Sequence, residues 1–105
     1  MQQLVLQFPF SGLVDYDKMI ELEDQIEEEL ERSDNAYLDG HDAGSNEMNV
    51  FVHAQDAQST FRRLDSILRP YYVHMQVAYR VIDSQRNASD WIILYPPHLK
   101  EFSVK

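Results

Sequence analysis

The chain of 105 residues contains no cysteine. That excludes a disulfide framework, thiolate metal sites and a cysteine nucleophile. Glycine occurs three times and proline four, too few for a collagenous or low-complexity chain. No apolar run approaches the about 20 residues a membrane span needs. The start, Met1-Gln2-Gln3-Leu4, lacks the basic region of a signal peptide, so the expectation is a cytoplasmic protein with no membrane partner. Basic residues are scarce as well: nine Lys and Arg stand against eighteen Asp and Glu, for a net charge of −9. Catalytic signatures are missing too. The chain has no Gly-x-Ser-x-Gly elbow, no Walker loop and no Rossmann glycine fingerprint, and a non-catalytic protein is the expected class.

What is present is 44% hydrophobic and 26% charged, a globular composition. At this length it can bury a core unaided, and residues 1–105 are expected to form one α+β domain. The charge is uneven. Residues 1–49 hold thirteen acids against Lys18 and Arg32, a charge of −11, whereas residues 50–105 hold five acids against seven bases, a charge of +2. Nucleic-acid binding starts from a positive field over phosphates, so this distribution argues against that partner and for a basic protein.

Leu4-Val5-Leu6-Gln7-Phe8 alternates in part and predicts a first strand with Leu4, Leu6 and Phe8 on one face. Pro9 is expected to stop its pairing and Ser11-Gly12 to turn the chain. From Asp15 to Arg32 the period becomes helical, because Met19, Leu22, Ile26 and Leu30 recur at spacings of three, four and four. Asp15 or Asp17 is the expected N-cap. The outer face would carry Glu21, Glu23, Asp24, Glu27, Glu28 and Glu31. Like charges at helical spacing repel by about 0.2–0.5 kcal/mol per pair, and the helix offers few bases to offset them.

Ala36-Tyr37-Leu38-Asp39 begins an extended segment, Gly40 to Asn46 reads as a polar turn, and Met48 to His53 returns as a strand. The expected hairpin loop is longer than the minimal two-residue turn. Asp56 is the predicted N-cap of a second helix, Ala57 to about Arg69, closed by Pro70. Two strands follow, Val73 to Ile82 and Trp91 to Tyr95, the second ended by Pro96-Pro97, and the tail to Lys105 carries no assignment. The order β-α-β-β-α-β-β predicts a two-layer ferredoxin-like sandwich, with two helices on one face of an antiparallel sheet.

Three groups of residues could carry function. Glu23, Glu27 and Glu31 on the acidic helix could bind or inhibit a basic protein, with charge steering the encounter. Asp39, His41, Asp42 and His53, with Glu47 close by, supply the nitrogen and oxygen donors that divalent metals accept, so a metal or small-ligand site on the hairpin is the alternative. Polar turns are rich in Asp, Asn and Gly for backbone reasons alone, so the same residues also suit a turn without a ligand. Phe51 belongs to the sheet face that the helices would leave bare; covering it with a second copy predicts a homodimer.

Asp39-Gly40-His41-Asp42-x-Gly44, then an apolar strand, then Asp56-Ala57-x-x-x-Phe61 with Leu68-Arg69-Pro70 and Tyr79-Arg80, resembles a pattern of small, functionally uncharacterised bacterial proteins over about residues 36–82. The resemblance implies a family without a known activity and assigns no catalytic residue. In size, acidity and α+β pattern the chain is also similar in kind to immunity proteins and inhibitors that neutralise basic toxins.

Overall fold

Alternating apolar residues make Gln2–Pro9 (β1) the central strand of the sheet, where both of its edges are paired. The computed structural model describes residues 1–9, 13–44 and 46–104, with the side chains of 13–15 excepted. Ser11-Gly12, expected as a turn, and the Asp15 side chain, expected as a cap, lie outside the described residues. An 18-residue helix, Leu13–Leu30 (α1), follows β1, and its start at Leu13 puts Asp15 and Asp17 inside the helix rather than at the cap. The chain continues as Ala36–Gly44 (β2), Glu47–Ala54 (β3), Ala57–Arg63 (α2), Asp65–Leu68 (α3), a 3-10 turn at Arg69–Tyr71, Gln76–Val81 (β4) and Ile92–Tyr95 (β5). All pairings are antiparallel, in the order β2-β3-β1-β4-β5. The architecture is α+β with a five-stranded antiparallel sheet.

One cluster forms the core. Strand residues of one parity, Leu4, Leu6, Phe8, Met48, Val50, Val52, Val77 and Tyr79, meet Met19, Leu22, Ile26 and Leu30 of α1 and Ala57, Leu64 and Leu68 of the second helical segment. The α1 stripe read from spacing is therefore the buried one. Burying each of the Val, Leu, Ile, Phe and Met side chains among them contributes about 1.5–3 kcal/mol. Asp56 caps α2 as expected, its carboxylate accepting from the Ser59 amide at 3.1 Å. Asp56→Ala should therefore cost about 1 kcal/mol in urea denaturation. A loss no larger than that of an exposed Ser59→Ala control would show that the cap contributes nothing.

Several expectations are corrected in detail. Pro9 is itself paired, opposite Glu47, and β1 ends with it. The second helix is instead divided at Leu64 (φ −84, ψ 0) into α2 and α3; beyond Leu68, Pro70 cannot donate an amide hydrogen bond, and the chain tightens into the 3-10 turn at Arg69–Tyr71. Asp65 ties that turn back, accepting from Arg69 Nε at 2.8 Å and from the Tyr72 hydroxyl at 2.6 Å. The Tyr72 hydrogen bond and the Arg69 guanidinium hold the Asp65 carboxyl below its ordinary range, while burial and Asp65 push the Tyr72 phenol up. The hairpin loop is also shorter than expected, since β2 ends at Gly44 and β3 begins at Glu47. Asn46 takes φ +65 there; Ser45 lies outside the described residues.

Candidate functional site

The 3.6-residue period of α1 divides its acids into three kinds. Glu21, Asp24, Glu27 and Glu28, with Glu31 just beyond the helix end, are exposed, and among the described residues none of them has a cationic partner. Glu29 is half-buried and takes Arg63 of α2, whose Nε lies 3.4 Å from Glu29 Oε1. Glu23 is the exception to the predicted acidic face, being only 7% exposed. It lies four residues after Met19 and three before Ile26, so the helix turns it into the buried stripe beside β2. Of the predicted partner-binding acids, Glu27 and Glu31 are available to a partner and Glu23 is not.

Glu23 is held by the hairpin. His41 Nδ1 lies 2.6 Å from Glu23 Oε1, and the Tyr16 ring meets the imidazole edge to face at 5.8 Å between centroids. The contact is close but poorly directed, leaving Oε1 without a well-aligned hydrogen bond. Burial pushes the Glu23 carboxyl above its ordinary 4.5; the His41 charge and contact pull it down, and the nearby charges of Asp24 and Glu27 push it up again. The net shift is upward, so burial and like charge outweigh His41.

The metal-ligand set is not assembled. His41 pairs in register with Val50, a core residue, and faces α1. His53 has the opposite parity to Val52, and Asp39, the extra residue of a β-bulge between Leu38 and Gly40, turns to it, with Asp39 Oδ2 2.8 Å from His53 Nε2. Tyr37 stacks on the same imidazole at 5.2 Å. The two histidines therefore point to opposite faces of the sheet, because strand side chains alternate. Asp42, in register with Asn49, is exposed and has no ion-pair partner among the described residues. Among the described residues no three His, Asp or Glu side chains gather in a way that could hold a metal ion. The turn that seemed in sequence to collect these residues is in fact strand.

The sheet face expected to be bare is covered. Val5 and Ala78, on that face, are 0% exposed, and Phe51, between Val5 and Gly40 in register, is half-buried. The segment after β5, unassigned in sequence, returns over it. Gln7 Nε2 donates to the Ser103 carbonyl at 2.8 Å, Phe102 meets Trp91 edge to face at 5.0 Å, and the Arg80 guanidinium lies 4.5 Å from the Trp91 ring centre. Gln7, Asn49 and Glu47 form a polar network beneath this segment, and Asn49 is 1% exposed. The segment thus takes up part of the face expected to carry a Phe51-centred homodimer. Its only signal in sequence is the aromatic pair Trp91 and Phe102 on either side of Pro96-Pro97.

No described helix is long and apolar enough to cross a membrane. Compared with protein-family models, curated proteins and solved structures, the chain matches none of them.

Proposed function

We propose that this protein is a non-catalytic, cytoplasmic interaction domain that binds or inhibits a basic protein through the exposed acids of α1. One observation carries this reading: Glu21, Asp24, Glu27, Glu28 and Glu31 crowd one helix surface without an ion-pair partner among the described residues, while Glu29 and Glu23, at its margins, are paired within the chain. Unrelieved like charge lowers the stability of the isolated domain, and a cationic partner relieves it. The strand order, with α1 joining β1 to β2 and the second helical segment joining β3 to β4, supports a ferredoxin-like sandwich with β5 added beyond β4. The shared core cluster supports placing both helical layers over one sheet face.

The test is a charge-neutral variant, Asp24→Asn with Glu27→Gln and Glu31→Gln. It should fold as the parent does and gain a few tenths of a kcal/mol, on the order of 0.2–0.5 per relieved pair, in urea denaturation. A basic protein co-purified with the parent should bind the variant about tenfold more weakly, and parental binding should fall as salt rises. Equal binding by parent and variant, or affinity unchanged by salt, would overturn the reading.

A further inference from the structure

We propose that the Gly40–Gly44 edge of β2 docks an extended, basic segment of a partner protein, which adds to the sheet as a strand beside β2. The inference rests on the charge reading of α1 and specifies how the partner is held. β2 is the outermost strand on its side of the sheet, and no other described strand pairs with its outer edge. Backbone donors and acceptors along such an edge are a template for a further strand.

The bulge at Asp39 breaks the first part of this edge, but from Gly40 onward the register is regular, with Gly40, His41, Asp42, Ala43 and Gly44 opposite Phe51, Val50, Asn49, Met48 and Glu47. His41, Asp42, Ala43 and Gly44 are exposed. A Cβ placed on Gly40 or Gly44 would meet nothing within 4 Å.

Charge selects the occupant. Side chains of an added strand alternate between the two sheet faces. One set would run beside α1, where His41 and Glu23 meet and Glu27 adds its charge to Glu23. The other set would pass Asp42, which has no ion-pair partner among the described residues. Lys or Arg suits both sides. A second copy of this chain does not, because pairing two β2 edges would bring Asp42 and the α1 acids of both copies together. The same charges thus oppose self-pairing and favour a basic strand.

The probe is an alternating Lys-Thr peptide, with a backbone N-methylated version of identical charge and a Glu-Thr peptide as controls. Amide hydrogen exchange and peptide-induced shifts are read residue by residue in the isotope-labelled full chain. The Lys-Thr peptide should slow exchange of the outward amides in Gly40–Gly44 by about tenfold, and the N-methylated peptide should leave them unchanged. Asp42→Lys should weaken Lys-Thr binding several-fold, on the order of three to ten, with the exchange of β1 and β3 unaltered. If both cationic peptides shift only α1 resonances and Gly40–Gly44 exchange is unchanged, the strand site is wrong while the acidic-helix reading stands. If neither binds at low salt, both fall. Equal protection by the Glu-Thr peptide would overturn the charge selection.

Discussion

Ile26→Ala is expected to lower stability by about 2–5 kcal/mol, with a fall in Tm on the order of 10–20 °C. Ile26 is 0% exposed and sits in the middle of the α1 stripe, between Leu22 at 1% and Leu30 at 3%, within the cluster that also holds Leu6, Val50 and Val77. Truncation removes buried apolar area and leaves a cavity in the core. Thermal and urea denaturation read the loss, with Glu28→Ala as a surface control. A loss below about 1 kcal/mol would mean that the stripe is loosely packed. Since the acidic face is held by this stripe, the variant should also bind a basic partner less at temperatures where it is partly unfolded.

His41→Ala should cost about 1–3 kcal/mol at neutral pH, because it leaves the buried Glu23 carboxylate without its close polar partner. The pH dependence distinguishes this from a simple loss of packing. Burial holds the folded-state pKa of Glu23 above 4.5, so protonated Glu23 favours the folded state. That stability is fully present below the ordinary glutamate range and is lost as pH rises through the raised folded-state value. The cost of His41→Ala should accordingly shrink in acid and reach its full size at neutral pH. Glu23→Gln keeps the shape without the charge. Relative to it, the parent should lose stability as pH rises through the same window, and combining it with His41→Ala should recover most of the loss. Urea denaturation at acid and neutral pH measures both; a loss independent of pH, or a double variant no better than His41→Ala, would show that the carboxylate charge is not what His41 balances.

Local periodicity by itself determined the elements whose apolar residues repeat with one clear period. Met19, Leu22, Ile26 and Leu30 named the buried face of α1, the alternation of Leu4, Leu6 and Phe8 named the inward side of β1, and Asp56 marked the start of α2. Each of these depends on residues a few positions apart. Glu23 was legible too, since its spacing from Met19 and Ile26 is that of the stripe, but counting it by charge alone placed it on the surface.

The hairpin shows where local information ended. Polar residues from Gly40 to Gly44 read as a turn, because Asp, Gly and His have weak strand preference. Pairing with β3 overrode that preference and extended β2 to Gly44. Once the segment is a strand, its period of two sends His41 to Glu23 and the Asp39 bulge to His53, which separates ligands that sequence had gathered. Likewise, no short-range pattern tells Gln7 that it will meet Ser103, or puts Phe102 against Trp91. Composition and spacing determined an acidic α+β chain with a charged helix. Only the tertiary structure decided which acids remain unpaired, which sheet face the C-terminal segment covers and which strand edge is left open, because each depends on contacts between residues far apart in the chain.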